Sequence, residues 1–385
     1  MTGRRRGKGE GSIYRRASDG RWVAALIMAD GRRVVRRASS RKDAAAKLEL
    51  LLKARAEGQA LPADRSTGAF LNEWLAVVKH TVAAGTFERY EQYIRVHAIP
   101  ALGRIRLGRL TPQHFQRLYQ DKLAAGLSPT TVSHLHTVLH GAFAEAVRWG
   151  LVPRNVVALV RPPRKAHVEI VALTVEQARA LLAAAAGNRF EALFVLALKT
   201  GMRRGELLAL RWADVDLDKG MLQVHGTLRR TREGLTFGTP KTAASRRKVV
   251  LSPTSMAAVR RHQVRQDEER RTAGDLWQDF GLVFPNTVGR PMEPRDLLSD
   301  VYRPLLKRAG LPPVTFHALR HTAATLLLAE GEHPKVVQEL LGHAQVSITL
   351  DRYSHMTPRL MSNAAALMDR LLDGEEPSSP TPDSG

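Results

Sequence analysis

The 385-residue chain contains no cysteine. That excludes disulfides, thiolate metal sites and a cysteine nucleophile, and leaves any metal work to histidine. Long apolar runs are also missing: the longest, near Phe190–Leu198, falls far short of the roughly 20 residues that span a membrane. The first ten residues, MTGRRRGKGE, lack the apolar core of a signal peptide. A soluble cytoplasmic protein is therefore expected, with no membrane partner. There is no GxxxxGKS/T phosphate loop and no evident cluster of acidic metal ligands. Aromatic residues make up only 5%, six of them tyrosines, and a lone tyrosine beside Leu350 and Met356 would by itself be read as core. Acidic residues are scarce as well, with 37 Asp and Glu against 59 Lys and Arg, a net charge of +22 and a pI of about 11.0. Such a surplus calls for a polyanionic partner, nucleic acid first. A membrane surface would require a basic amphipathic helix with bulky apolar anchors, whereas here the charge is spread along the whole chain.

The length allows two or three domains. Residues 1–58 read as a sheet followed by a helix. GSIYRR, RWVAALIM and RRVVRRAS alternate as strands, Asp30-Gly31 marks a hairpin turn, and Ser39 or Ser40 caps the next helix, which Gly58 ends. Residues 1–57 hold 16 basic against 6 acidic side chains, and no acidic residue lies between Arg32 and Arg41. This favours a β-ribbon laid on DNA, with Arg15, Arg21, Arg32 and Arg36 as candidate contacts. Residues 59–67 form a linker. Residues 68–159 show four amphipathic helical stretches, for which Thr86, Thr111 and Ser128 are candidate N-caps and Pro112 and Pro129 sit where first-turn prolines are tolerated. Thr130, Thr131 and His134, at the start of the last of these helices, are further candidate DNA contacts. His136 and His140 are four residues apart on that helix, but no third ligand shares their phase, so no metal site is expected. Residues 160–169 form a second linker, marked by paired prolines. Residues 170–372 are mostly helical with a small antiparallel sheet around Leu222, Val224 and Val249–Leu251, and residues 373–385 have the composition of a disordered tail.

Within 170–372, four separated fragments carry polar groups in apolar settings. TGMRRGE places Arg203 at a helix start with Glu206 three residues on, and TPKT puts Lys241 in a turn between strands. HALRHT sets His317 and Arg320 on one helix face, and LLGHAQVSITLDRYSH carries His343 and Tyr353. Each alone has a bland reading, as a local salt bridge, a turn lysine, a core histidine or a helix cap.

Together, in this order, they resemble the tyrosine recombinase or phage integrase family from about residue 66 to 365, and more loosely at the amino-terminal unit. The helical region, including GLSPTTV and AVRWGLVPRN, is similar to the family's SAM-like core-binding domain. One departure is Asn155-Val156 where many members have Asn-Pro, which bears only on linker stiffness. The resemblance implies a mainly α fold with small β elements, an arm-site DNA-binding domain at 1–58 and a catalytic domain at 170–372. It also implies a site-specific recombinase that exchanges DNA strands through a 3′-phosphotyrosine, without ATP, metal or cofactor, to integrate or excise a phage or other mobile element. Tyr353 would be the nucleophile, Arg203 and Arg320 the phosphate forks, and Lys241 the general acid. His317 and His343 would bind the scissile phosphate, with Glu206 supporting. Expected partners are double-stranded attachment sites bound by a homotetramer, with a host DNA-bending protein and an excision directionality factor as further candidates, in a bacterial, nucleoid-associated setting. The chemistry agrees, since guanidinium forks suit the charge of a phosphoryl transition state. A phenol of pKa near 10 is only about one part in a thousand ionised at neutral pH, so a cationic pocket would help it react. A chromosome-dimer-resolving Xer-type recombinase and a non-cleaving DNA-binding regulator on the same fold are the alternatives.

Overall fold

The computed structural model describes residues 10–28, 33–56, 65–164, 171–238 and 246–342. The expected turn at 29–32, with Arg32, and the candidate residues Lys241, His343 and Tyr353 lie outside the described residues. The chain divides into two compact units, Met1–His167 and Val168–Gly385. Both are built from helices with small antiparallel sheets, the fold class expected.

The first unit opens with an antiparallel sheet of order β1-β2-β3 (Ser12–Arg15, Trp22–Ile27, Arg33–Ala38), followed by α1 (Arg41–Ala56). Alternation along the strands turns Ala24, Leu26 and Ala38 onto Ala44, Leu48 and Leu51 of α1, making one small core. Ser40 Oγ accepts from the Asp43 N–H and the Asp43 carboxylate accepts from the Ser39 N–H, so the helix begins at the serines, as their capping chemistry predicts. The register places Arg36 opposite Ala24 and Arg15 opposite Trp22. Arg15 and Arg36 therefore share the face that meets α1, while Arg33 and Arg37 lie on the other face with Tyr14, whose hydroxyl accepts from Arg33 at 3.4 Å.

The same unit carries α2 (Thr67–Val78), α3 (Ala84–Gln92), α4 (Ile99–Leu102), α5 (Pro112–Ala124) and α6 (Pro129–Arg148). Their three- and four-residue spacing buries Phe70, Leu71, Trp74, Ile94, Phe115, Leu139 and Phe143 in a second core. Phe70 meets Phe143 and Trp149 edge-on at 5.8 and 5.9 Å. Thr111 and Ser128 are the N-caps of α5 and α6, with Pro112 and Pro129 as their first residues. Thr86 is not a cap: α3 begins two residues earlier, after Ala83, where no side chain can accept, and the Thr86 N–H bonds the Ala83 carbonyl. A π-helical turn, Tyr93–Ala98, joins α3 to α4. Pro100 has no N–H for the carbonyl four residues back, and a wider turn accommodates the gap. At Asn155-Val156, Asn155 caps a short 3₁₀ turn by accepting from the Val157 N–H and also donates to the His140 carbonyl.

The second unit contains α7 (Val175–Ala185), α8 (Glu191–Thr200) and α9 (Arg204–Ala209), then β4 (Val215–Asp216), β5 (Met221–Val224), β6 (Thr227–Thr231), β7 (Gly234–Gly238) and β8 (Arg247–Val250). It continues with α10 (Pro253–Ala273), α11 (Pro294–Asp296), α12 (Arg303–Arg308), α13 (Phe316–Ala329) and α14 (Pro334–Leu341). The expected small sheet forms two, one of order β4-β5-β8 with Leu222 opposite Val249, and a β6-β7 hairpin. The longest apolar run of the sequence is α8, buried along nearly its whole length with Phe194 against Tyr302 and Phe316. Among the described residues no helix is long and apolar enough to cross a membrane.

Candidate active site

The fragment TGMRRGE is a helix end, a turn and a helix start. α8 stops at Gly201, whose φ of +63° is left-handed, and a Cβ there would stand 2.4 Å from Leu341 Cδ2 on α14. Glycine is needed for both reasons. The chain then reverses, and Arg203 becomes the residue before α9. Glu206, on the first turn of α9, closes the start of the helix by accepting from the Arg203 N–H at 2.9 Å and from Arg203 Nη1 at 2.7 Å. The local salt bridge expected from the spacing is therefore present. Its carboxylate is buried at 4% exposure, while the arginine side chain keeps 37%.

A second arginine approaches from β8. Arg247 Nη2 donates to Glu206 Oε2 at 3.0 Å, and its Nε donates to the Leu340 carbonyl at 2.6 Å. Sequence reasoning missed this residue. Its signal was available, because in RKVV the inward positions are Arg247 and Val249, so a basic side chain occupies a core-facing register. Burial alone would raise the Glu206 pKa, but the charge and hydrogen bonds of Arg247, with those of Arg203, outweigh it and hold the carboxyl below its usual range.

A third arginine comes from α13. Arg320 is buried, donating through Nη1 to the Gly201 carbonyl at 2.8 Å and through Nη2 to the Leu341 carbonyl at 2.5 Å. Arg203 Nη2 reaches the next carbonyl, that of Gly342, at 3.4 Å. Leu340, Leu341 and Gly342 thus meet Arg247, Arg320 and Arg203 in turn. The last carbonyls of a helix have no partner within it, and the negative end of its dipole favours cations. Side chains from the start of α9, from β8 and from α13, between 21 and 139 residues away in sequence, thereby converge on the turn that immediately precedes His343. His317, one turn before Arg320, is exposed, and its ring stands perpendicular to that of buried His321 with centroids 4.6 Å apart. Arg203, Glu206, His317 and Arg320 are the four predicted site residues that the described part of this unit contains.

The remaining candidates belong to the first unit. Arg15 and Arg21 are exposed and Arg36 is half-buried, with Arg15 Nε donating to the Gly20 carbonyl. Thr130 is exposed on the first turn of α6, and the Thr131 hydroxyl lies 2.9 Å from that of Ser128. His134, one turn on, is half-buried. His136 engages the Tyr119 hydroxyl at 3.0 Å, and burial, with His140 nearby, lowers its pKa. Among the described residues no group of three side chains is placed to hold a metal ion.

Residues 172–359 match the model of the phage integrase family, and residues 68–124 match that of the phage integrase N-terminal SAM-like domain. A tyrosine recombinase XerC-like protein of Caldanaerobacter subterraneus subsp. tengcongensis is 32% identical over 80% of this chain and 84% of its own. An integrase of Streptomyces ambofaciens is 31% identical over 96% of this chain and 98% of its own. Among solved structures, the Tn1549 transposon integrase in complex with transposon right end DNA shares the fold with a TM-score of 0.66, at 24% identity over 78% of this chain and 99% of that one. A lambda integrase tetramer bound to a Holliday junction aligns with a TM-score of 0.55, at 19% identity over 90% and 96% of the two chains. The chain belongs to the phage integrase family of tyrosine recombinases and is a site-specific recombinase.

Proposed function

We propose that this recombinase integrates and excises a mobile element by cleaving and rejoining attachment-site DNA through a 3′-phosphotyrosyl bond at Tyr353. The observation that carries the reading is the convergence of Arg203 and Arg320 on the adjacent carbonyls of Gly342 and Leu341. Two guanidinium forks fixed side by side are what a phosphodiester needs as charge builds on its nonbridging oxygens. The sequence that follows that turn holds His343 and, ten residues on, Tyr353. In this reading Tyr353 attacks the phosphorus and the 5′ oxygen leaves, taking a proton from Lys241, while His317 and His343 hydrogen-bond the phosphate and assist proton transfer. One phosphodiester is exchanged for another, so the step balances without ATP or metal. Attack by the 5′ hydroxyl of a second strand reverses it onto a new partner.

Residues 1–58 act as the arm-site domain, with Arg15, Arg21, Arg32 and Arg36 as candidate contacts. Residues 68–159 act as the core-binding domain, with Thr130, Thr131 and His134 at the DNA, and 170–372 as the catalytic domain. The assembly on DNA is a homotetramer in the bacterial cytoplasm, at the nucleoid. Resemblance to a XerC-like protein keeps chromosome-dimer resolution as a second reading. The sheet-and-helix unit with its own core, and the match to a Streptomyces integrase along nearly its full length, favour the mobile-element one.

A nicked suicide site tests the reading. Wild type should become covalently trapped, and Tyr353→Phe should bind the same DNA without trapping. Trapping that survives in Tyr353→Phe would overturn it.

A further inference from the structure

We propose that Arg247 is a positioning residue for strand cleavage: from the start of β8 it holds the carboxylate that orients Arg203 and the last turn of α14 in one fixed relation. This rests on the reading that Arg203 and Arg320 grip the scissile phosphate.

The geometry is specific. The Arg247 side chain is only 6% exposed, and Glu206, its partner, 4%. Two of its donors go to different elements, Nη2 to Glu206 on α9 and Nε to the Leu340 carbonyl on α14. Glu206 in turn takes both the backbone N–H and the guanidinium of Arg203. The Arg203 fork, the carboxylate, Arg247 and the end of α14 therefore form a closed ring of hydrogen bonds, completed where Arg203 meets the Gly342 carbonyl. Arg320, from α13, holds the same turn through the Leu341 carbonyl. A planar guanidinium can serve two elements at fixed angles, which a lysine ammonium on a flexible stem cannot reproduce. Arg247 touches neither DNA nor a reacting atom in this scheme. Without it, the carboxylate that orients Arg203 loses the larger of the two charges that keep it ionised, and α14 loses one of its ties to that carboxylate.

The charged groups that face Glu206 among the described residues are Arg203, from the start of α9, and Arg247, from β8. Removing Arg247 leaves burial opposed by Arg203 alone, so the Glu206 pKa rises and the carboxylate is neutralised at a higher pH on acidification. The acid side of the cleavage profile should then move up in pH. A role confined to general stability would not shift that profile in protein that remains folded and DNA-bound.

The experiment uses the full chain and a nicked suicide duplex at saturating protein, following covalent trapping in single turnover across pH. Wild type, Arg247→Gln, Arg247→Lys and Tyr353→Phe run in parallel, with duplex binding measured for each. Arg247→Gln should trap on the order of 100-fold more slowly, the scale expected for a misplaced phosphate grip, with binding retained and its acid limb shifted up. Arg247→Lys restores the charge but not the two-element fork, so it should return the acid limb to its wild-type position while remaining slower than wild type. Should Arg247→Gln fail to fold, Arg247→Lys decides alone. A wild-type rate in Arg247→Lys, or a loss confined to DNA binding, overturns the proposal. Trapping in Tyr353→Phe, or none in wild type, fails the underlying reading instead, so the two failures are distinguishable.

Discussion

Replacing Glu206 by Gln removes one charge from the centre of the arginine cluster while keeping the side chain's size. Glu206 is the buried acceptor for two arginines and one backbone N–H. The amide of glutamine accepts through one oxygen only, and its NH2 must face a guanidinium donor. Arg247 is left buried beside a neutral group, and breaking a buried pair in this way costs about 3–5 kcal/mol. With one acceptor kept, the lower end applies, and about 3 kcal/mol in a unit of this size lowers the melting temperature by roughly 6–12 °C. The sign of the pH dependence follows from the lowered Glu206 pKa. A carboxyl held lower in the folded than in the unfolded state contributes stability that is full above the ordinary value of about 4.3 and is lost as pH falls through the folded value. The gap in melting temperature between wild type and Glu206→Gln should thus be widest near neutrality and narrow on acidification below about pH 4. Scanning calorimetry from neutral to acid pH measures it. A gap under about 2 °C at neutral pH, where roughly 6–12 °C is expected, or one that widens in acid, would refute the reasoning.

Gly201→Ala should destabilise by more than the ~1–2 kcal/mol that left-handed backbone costs an alanine, because its methyl would press on Leu341; thermal unfolding checks the stability and suicide-substrate trapping the displacement of α14. Phe70→Ala should cost about 3–5 kcal/mol, since Phe70 is fully buried against Phe143; denaturant titration of the chain measures it. Deleting residues 1–57 should spare cleavage of a core site but abolish integration into a site carrying flanking repeats, and an unchanged integration frequency would remove the arm-site role.

Much of the framework is legible because local chemistry sets it. Ser128 announces a helix start through its hydroxyl, which accepts from the Thr131 N–H, Thr111 does so by standing before the first-turn proline of α5, and the two-residue strand period sets Ala24 and Leu26 together on the face that meets α1. Thr86 misleads because α3 starts after an alanine, which advertises nothing. The assignment of Arg15 and Arg36 to a DNA-facing ribbon rested on charge; which face each occupies depends on register, and that is set by pairing with β2. At the site, Arg203 with Glu206 follows from spacing within one helix start. The anchoring of Arg320 does not, because its partners are backbone carbonyls of Gly201 and Leu341 on other elements, and a carbonyl carries no sequence signature. Arg247 was readable only as an oddity of parity, a charged residue in phase with Val249.

The proposed covalent bond between Tyr353 and DNA can be located chemically. Proteolysis of the trapped suicide complex, followed by mass spectrometry of the peptide that carries the nucleotide, tests it directly. A single adduct is expected on the peptide containing Tyr353, linked through the 3′ phosphate with a free 5′ hydroxyl on the departing strand. An adduct on any other residue, or on a 5′ phosphate, would contradict it.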